Sequence, residues 1–469
     1  MLSDRIDRQW DADIVPQLVD YIRIPAKSPH FDPQWREHGH IEAAVQLALA
    51  WSRRQPIAGM TLEVIRLEGR TPVIFFDVPA RDTSSSKTVL LYGHLDKQPE
   101  MTGWRAGLGP WTPVIEDGRL YGRGGADDGY AIFASLCAIQ ALDAEAIPRP
   151  RCVGLIETCE ESGSYDLPAY LDALAPRMGD VGLVVALDSG AGNYEQLWAT
   201  TSLRGLVNGT LRVDILTEGV HSGDAGGVVP SSLRIARTLL DRIDDAASGV
   251  VKSPEFACPI PEERLVQAKQ AAAILGDTLW KRFPWVSAGA QSSQPVTKDA
   301  VELVLNRTWR AALAVTGAAG LPALEAAGNV QRPVTSLKLS LRLPPLIDGE
   351  RAARAMKRLL EDDPPYGAKV AFEFDSAATG WNAAPTAPWL ASALDAASTT
   401  LFGKPCAFMG EGGTIPFMAM LGAKFPRSQI LVTGVLGPQS NAHGPNEFIH
   451  IGYAKKVTAA TATVIAAMR

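Results

Sequence analysis

The apolar positions in the first part of the chain follow two patterns. Residues 41–54 (IEAAVQLALAWSRR) and 130–144 (YAIFASLCAIQALDA) carry apolar side chains at helical spacing. On either side of the second segment lie short runs without polar alternation, at 88–93 (TVLLYG), 152–157 (CVGLIE) and 182–188 (GLVVALD). Such runs are typical of strands that helices cover on both faces. The pattern predicts an α/β layer fold with a parallel or mixed sheet.

The middle of the chain has a different pattern. Residues 207–215 (VNGTLRVDI) and 336–343 (SLKLSLRL) alternate between apolar and polar positions, as half-exposed antiparallel strands do. Residues 231–243 and 351–363 read as amphipathic helices. This region is therefore predicted to be a smaller α+β domain.

The α/β pattern returns after about residue 377. Residues 389–402 and 452–468 are predicted helices, and residues 429–435 (QILVTGV) are a predicted strand. The simplest architecture is an α/β/α domain with a mixed sheet, interrupted by an inserted smaller α+β domain. The predicted division is 1–202 and 377–469 for the α/β/α domain and 203–376 for the insertion.

Composition excludes several classes of protein. The 469 residues include 45 Lys+Arg and 51 Asp+Glu, and the net charge of −6 offers no electrostatic support for nucleic-acid binding. No run of about 18 apolar residues is present, so no membrane span is expected. The charged N-terminal residues do not resemble a signal peptide. The five cysteines form no CxxC pair, which favours a cytoplasmic location.

Candidate metal ligands follow three of the predicted strands. The strand at 88–93 leads into His94 and Asp96, the strand at 152–157 leads into Glu160 and Glu161, and Asp188 ends the third. In an open α/β sheet, functional groups lie beyond the carboxyl ends of the strands. We therefore expect these side chains to lie close together.

Two further clusters add to this set. The glycine-rich segment GRGGADDG (122–129) contains Asp127 and Asp128, and NAHGPNE (441–447) contains His443. Asp128 is expected to cap the helix that begins at 130. Imidazole and carboxylate groups together suit zinc or another divalent first-row metal. The set exceeds what one zinc ion requires, so the sequence favours two metals that share a carboxylate and a water molecule.

Eight segments in the same order resemble the M20 family of dinuclear zinc peptidases, and most closely its carnosinase-like dipeptidase branch. The segments are GHLDKQP (93–99), GRGGADDG (122–129), ETCEESGS (157–164), LDSG (187–190), GVHSG (219–223), SLRLPP (340–345), GEGGTIP (410–416) and NAHGPNE (441–447). A GHxD or a Glu–Glu pair alone would be weak, but the ordered set is specific.

The resemblance implies a metal ligand at each of five positions. His94 and Asp188 would bind one metal ion. Glu161 and His443 would bind the other, and Asp127 would bridge the two. Zinc is the expected metal, although manganese and cobalt tolerate the same ligands.

The resemblance also implies three catalytic roles. Glu160 would be the general base, and Asp96 would orient the His94 imidazole. In this family the inserted domain mediates dimerisation, so His221 would reach the neighbouring subunit's site and stabilise the oxyanion. A homodimer with a shared active site is therefore expected, and the insertion would serve as a lid and dimerisation domain.

The substrate's terminal carboxylate would be bound by a third group of residues. Arg342 resembles the family arginine that grips this carboxylate with its planar fork of donors. Asn329 matches a substrate-binding asparagine, and Gly412, Gly413 and Thr414 would provide backbone and hydroxyl contacts.

Two features depart from the family pattern. Members commonly have lysine where Gly129 stands, but this position is not a ligand, so activity is not in doubt. The loops at 28–40 and 245–310 match no specificity signature.

The predicted function is metal-dependent hydrolysis of the amide bond in dipeptides or short peptides with a free C-terminal carboxylate. A hydroxide held by two metals would attack, with Glu160 as the base. One alternative is an N-acyl-amino-acid deacylase or carboxypeptidase on the same scaffold, and another is a metal-bearing peptide-binding protein without catalysis. A thiol mechanism through Cys159 is disfavoured, because neighbouring carboxylates raise a thiol pKa.

Overall fold

The computed structural model describes residues 1–83, 85–288 and 291–468. Two compact units are present. The first comprises Met1–Thr201, Ala383–Met409 and the chain from Met420 onward, and the second comprises Ser202–Asn382 and Gly410–Ala419. The mixed α/β fold class predicted from the sequence is confirmed. The predicted domain boundaries, and the lid and dimerisation roles of the insertion, stay predictions.

A mixed sheet forms the centre of the first unit. Its strands lie in the order Thr61–Ile65, Val73–Val78, Arg151–Glu157, Thr88–His94, Val181–Ala186, Gln429–Val432 and Trp198–Leu203, and Ala407–Glu411 also pairs with the last of these. The four strands from Arg151–Glu157 to Gln429–Val432 are mutually parallel. Every residue of Thr88–His94 is buried, as its apolar run predicts.

Helical segments surround this sheet. They are Leu2–Gln9, Trp10–Ile14, Val15–Ile22, Trp35–His38, His40–Arg53, Gly125–Gly129, Tyr130–Ala144, Glu160–Ser162, Leu167–Met178, Pro388–Phe402 and Ile451–Ala467. A small antiparallel sheet has the strands Phe448–His450, Arg119–Tyr121 and Val114–Glu116. The helix Tyr130–Ala144 has the predicted bounds, and twelve of its residues are buried because apolar side chains surround it.

An antiparallel sheet is the core of the second unit. Its strands lie in the order Ala312–Ala319, Val334–Leu343, Gly205–Asp214 and Lys369–Ala378. Shorter strands are Val220–His221, Ser287–Ala288, Gln291–Ser292, Val330–Gln331 and Trp381–Asn382. Alternate residues of Val334–Leu343 are buried, and Leu339 and Leu341 belong to the core of this unit. The alternating pattern seen in the sequence therefore marks a sheet with one covered face.

The helices of the second unit lie within it, except for the last one, which begins in the second unit and ends in the first. They are Ser222–Ala225, Ser232–Leu240, Pro254–Phe256, Glu262–Leu275, Thr278–Lys281, Ala300–Thr308, Leu324–Ala326, Gly349–Glu361, Pro365–Gly367 and Pro416–Lys424. Asp348 begins one of them by accepting a hydrogen bond from Arg351 N at 2.7 Å.

Two sequence interpretations need correction. The segment 245–310 is not a loop, because it contains the helices Glu262–Leu275 and Ala300–Thr308; residues 289 and 290 lie outside the described residues. The strand predicted at 429–435 ends at Val432. Beyond it, the backbone of Gly434 lies against that of Ser189, because a Cβ on Gly434 would fall 2.1 Å from the carbonyl oxygen of Ser189. Among the residues that the structure describes, none of the helices has the length and hydropathy of a membrane span.

Candidate metal centre

His94 ends the strand Thr88–His94 and is fully buried. Its Nδ1 lies 3.0 Å from the backbone carbonyl oxygen of Asp96. A protonated Nδ1 that donates to this carbonyl leaves the Nε2 lone pair free to bind a metal ion. The ring is thus oriented by the Asp96 backbone, while the Asp96 carboxylate lies further away, with Oδ1 at 3.5 Å from Nδ1.

The carboxylate of Asp96 instead fixes the turn that bears the two glutamates. Its oxygens accept hydrogen bonds from the backbone N–H groups of Glu160 at 3.1 Å and Glu161 at 2.9 Å. These residues form a short helical turn, Glu160–Ser162, just beyond the strand Arg151–Glu157. Asp96 therefore positions both glutamates.

Asp127 lies between the two candidate histidine ligands. Its Oδ1 is 3.3 Å from Nε2 of His94, and its Oδ2 is 3.0 Å from Nε2 of His443. The structure thereby forms two groups of donors that share this aspartate. One is His94, Asp127 and Asp188, and the other is Asp127, Glu161 and His443.

The outer members of each group complete the geometry. Oδ2 of Asp188 is 3.8 Å from Nε2 of His94, and Oε2 of Glu161 is 3.5 Å from Nε2 of His443. Within each group, the candidate ligand atoms lie within 4.8 Å of one another. All five ligands that the sequence predicts are therefore brought together in the first unit.

Polar atoms without partners indicate that these residues fit a metal. Among the described residues, Nε2 of His94 and Oε1 of Glu161 are buried and have no hydrogen-bond partner. Burial, followed by the charge of Asp127, raises the pKa of Asp188 to about 7 and that of Glu161 to about 8. Divalent cations would satisfy the orphaned atoms and neutralise the crowded carboxylates, so the donor set suits two of them.

Asp128 does not cap the helix Tyr130–Ala144, contrary to the expectation from the sequence. The helix has no side-chain cap, and Oδ2 of Asp128 accepts instead from the backbone N–H of His94 at 3.3 Å. The backbone turns this side chain away from the helix and toward the end of the strand. The peptide bond between Asp127 and Asp128 is cis.

Sequence reasoning missed two residues that hold the loop of His443. Arg123 is buried and donates to the carbonyl oxygens of His443 at 3.0 Å and Gly444 at 2.9 Å. It also forms a buried ion pair with Glu447, whose other oxygen accepts from Gly124 N at 2.7 Å. Both residues lie in segments that contain a predicted metal ligand, and this closeness in the sequence is the signal that could have identified them.

The second unit contains the other predicted site residues. Arg342 donates from Nη1 to the hydroxyl of Thr414 at 3.0 Å, and this hydroxyl donates to the carbonyl of Arg204 at 2.7 Å. Arg204 also donates from Nε to the carbonyl of Gly412 at 3.1 Å. Burial, followed by the charge of Arg342, lowers the pKa of Arg204 to about 10. We call Arg204, Arg342 and Thr414 the arginine cluster; Arg204 had no sequence signal.

His221 and Asn329 lie together on a two-stranded ribbon. His221 pairs with Val330, and the backbone carbonyl of Asn329 accepts from Ser222 N at 2.9 Å. Nδ1 of His221 accepts from Gly223 N at 3.2 Å. The side chains of His221 and Asn329 are both exposed. Gly413 is also exposed.

His94, Glu161 and Asp188 lie at or just beyond the ends of strands of the mixed sheet. Together with Asp127 and His443 they form two donor groups that share Asp127, which is the arrangement typical of sites for two metal ions. The family model of peptidase family M20/M25/M40 matches residues 90–467. The chain belongs to this family and is a hydrolase.

Two relatives that align with most of the chain are dipeptidases. Cysteinylglycine-S-conjugate dipeptidase of Corynebacterium striatum is 25% identical over 78% of this chain and 79% of its own length. Beta-Ala-His dipeptidase of Homo sapiens is 26% identical over 81% of this chain and 74% of its own length. Among solved structures, the dipeptidase Dug1p of Saccharomyces cerevisiae superposes with a TM-score of 0.78 at 21% identity, covering 100% of this chain and 98% of that one.

Proposed function

We propose that this protein is a metal-dependent dipeptidase that hydrolyses the amide bond of dipeptides or short peptides with a free C-terminal carboxylate. The observation that supports this most strongly is the pair of donor groups that share Asp127. The similarity to dipeptidases over most of the chain supports the substrate class.

In this proposal the two groups would hold two divalent metal ions, and the ligand types favour zinc. His94 and Asp188 would bind one ion, Glu161 and His443 would bind the other, and Asp127 would be a ligand of both. When bound, such a pair lowers the pKa of a water molecule and polarises the substrate carbonyl.

Glu160 acts as the general base. It belongs to neither donor group, yet its Oε2 lies 4.0 Å from Nε2 of His94, and its backbone is fixed by Asp96. Its carboxylate takes a proton from the attacking water and delivers that proton to the nitrogen of the departing amine. General catalysis by a positioned carboxylate contributes about 10²–10⁴-fold.

The arginine cluster binds the terminal carboxylate of the substrate. The Arg342 guanidinium donates to the Thr414 hydroxyl, and the Arg204 guanidinium donates to the carbonyl of Gly412 and keeps this segment in place, so two positive charges lie along residues 412–414. Gly412, Gly413 and Asn329 add backbone and amide contacts. His221, exposed on its ribbon, serves the site of a second subunit in a homodimer and stabilises the oxyanion.

A substrate panel tests the proposal. Cys-Gly and β-Ala-His are the first substrates, after the names of the relatives. The same dipeptides with an amidated C-terminus are matched controls, and we expect their kcat/KM to fall by about tenfold or more because a charge-assisted contact is lost.

N-acylated amino acids distinguish the main alternative. Succinyl-diaminopimelate desuccinylase of Methylobacillus flagellatus is 34% identical to this chain, over 24% of it. We expect dipeptides to be cleaved faster than N-acetyl and N-succinyl amino acids. Turnover of the acylated compounds alone would contradict the dipeptidase assignment.

A further inference from the structure

The N-terminal helical segment, Leu2–Ile22, ends against residues 93–97 and 122–129, which bear proposed metal ligands. It precedes residues 90–467, the part of the chain that the family model matches. We propose that Tyr21, Ile22 and the buried side chain of Lys97 form a template that sets the backbone positions of residues 93–96 and 122–129. These three residues would be positioning residues for the metal centre. The inference rests on the proposed metal-dependent function.

Gly129 shows the closest contact with this template. A Cβ atom built on Gly129 would lie 2.0 Å from Cε1 of Tyr21, far inside van der Waals contact. The Tyr21 ring therefore occupies the space that any side chain at position 129 would need. Since Gly129 follows Asp127 and Asp128 directly, a displaced ring or a displaced backbone would move the bridging aspartate.

The other glycines of the segment show the same relation. A Cβ on Gly122 would lie 2.3 Å from Cγ2 of Ile22, and one on Gly124 would lie 2.7 Å from Cε of Lys97. Gly125 would place its Cβ 3.1 Å from Cδ1 of Ile22. The glycine-rich run thus allows the backbone to lie directly on the template.

Tyr21 also contacts the segment of the other ligands. Its hydroxyl donates to the carbonyl oxygen of Leu95 at 2.9 Å. Leu95 lies between His94, a proposed ligand, and Asp96, which holds the glutamate turn. One tyrosine therefore touches both ligand-bearing segments, and it is fully buried.

Lys97 fixes the helix end that carries Tyr21. Its Nζ is buried and donates to the carbonyl oxygens of Tyr21 at 2.8 Å, Ile24 at 2.8 Å and Ile22 at 3.4 Å. The last carbonyls of a helix have no partners within the helix, and the N–H groups of Lys97 satisfy them here. Nζ also lies 3.9 Å from the centre of the Tyr21 ring.

The backbone of Lys97 continues the same attachment. Its N–H donates to the carbonyl of Ala26 at 2.9 Å, and its carbonyl accepts from Ser28 N at 2.9 Å. The residues that follow the helix end are thereby hydrogen-bonded to the segment that bears His94 and Asp96. A purely structural role would stabilise the fold without changing how tightly the folded protein binds metal.

Metal affinity separates these two roles. Zn²⁺ affinity is measured by chelator competition, together with the unfolding temperature of the metal-free protein. We expect Gly129→Ala to weaken Zn²⁺ binding by about 10–100-fold, as loss of a group that orients ligands does. Gly328→Ala is the matched control, because nothing lies within 4 Å of a Cβ at that glycine.

A second substitution gives space back to the first. Tyr21→Leu removes the ring atoms that collide with a Cβ at 129, so the double variant Tyr21→Leu/Gly129→Ala should bind Zn²⁺ at least about threefold more tightly than Gly129→Ala. Tyr21→Phe keeps the ring and removes one hydrogen bond, and we expect about two- to tenfold weaker binding.

Three outcomes are distinguishable. Weaker Zn²⁺ binding by folded Gly129→Ala, partly restored by Tyr21→Leu, supports the template. Wild-type Zn²⁺ affinity in folded Gly129→Ala and Tyr21→Phe, with or without a lower unfolding temperature, overturns the template and leaves the proposed function intact. A wild-type protein that binds no metal overturns the proposed function itself.

Discussion

The metal-ligand group of the first unit and the arginine cluster of the second are fixed by different means. His94 and Asp188 follow buried parallel strands, and Asp127 is held beside them by a turn that packs on the sheet, so backbone geometry places the ligand atoms. Arg342 and Thr414 are partly exposed and meet through the far end of a long side chain. We therefore expect the metal ligands to tolerate almost no substitution, whereas substitutions in the arginine cluster should change the affinity for substrate.

The largest effect is expected at Glu160. Glu160→Gln keeps the shape but cannot accept the proton, so kcat should fall by about 10²–10⁴-fold while bound metal stays at the wild-type level. Steady-state kinetics and metal analysis of the same preparation measure both quantities. Glu68→Gln, at an exposed position, is the matched control. Wild-type kcat in Glu160→Gln would remove this residue from the mechanism.

The two sheets should also differ in which positions along a strand are sensitive to substitution. Leu90 and Leu91 are neighbours and both are fully buried, so each substitution to Ala should cost about 2–5 kcal/mol of unfolding free energy. In the second unit, Leu339→Ala should cost about the same, but its neighbour Lys338 is exposed, and Lys338→Ala should cost less than about 0.5 kcal/mol. Urea denaturation of the metal-free proteins checks this. Similar costs at 338 and 339 would contradict the one-sided burial.

A smaller effect is expected in the arginine cluster. Arg342→Lys keeps the charge but loses the planar fork, so KM for dipeptides should rise by about 10–100-fold with kcat and metal content little changed. Amidated dipeptides, which lack the carboxylate, should be almost insensitive to the substitution and serve as the internal control. Equal losses on both substrates would show that Arg342 does not bind the carboxylate.

The smallest signal comes from subunit mixing. His221→Ala and Glu160→Gln chains are each expected to be nearly inactive alone. After random exchange, half of the dimers would be mixed and would have one intact site of two, so activity should recover to about a quarter of wild type. Absence of recovery, with exchange proven by mass spectrometry of differently tagged chains, would contradict a shared site.

Much of the fold could be predicted from periodicity, and the exceptions have a physical reason. The helix Tyr130–Ala144 and the buried strands follow from their apolar runs. The strands Ala312–Ala319 and Lys369–Ala378 were missed, since ALAVTGAA is rich in small residues and KVAFEFDSAA is largely exposed. Both are stabilised by pairing with Val334–Leu343 or Gly205–Asp214 rather than by a pattern of their own.

The candidate site shows the same limit. Ligands that follow strands could be recognised as a set, because strand ends converge. The contacts of Tyr21 with Leu95 and with Gly129 join positions far apart in the sequence, and nothing in the local pattern of Tyr21 marks it. Likewise, the preference of the Asp96 carboxylate for the backbone of Glu160 and Glu161 emerges only from the fold.

The central claim is that two donor groups share Asp127, and metal stoichiometry tests it most directly. Zn²⁺ is titrated into the chelator-treated protein while dipeptide hydrolysis is followed. We predict two Zn²⁺ ions per wild-type chain, one tightly bound ion in His443→Ala, fewer than one in Asp127→Asn, and activity that returns only as the second site fills. A single Zn²⁺ per wild-type chain with full activity, or an Asp127→Asn chain that still binds two, would contradict the account.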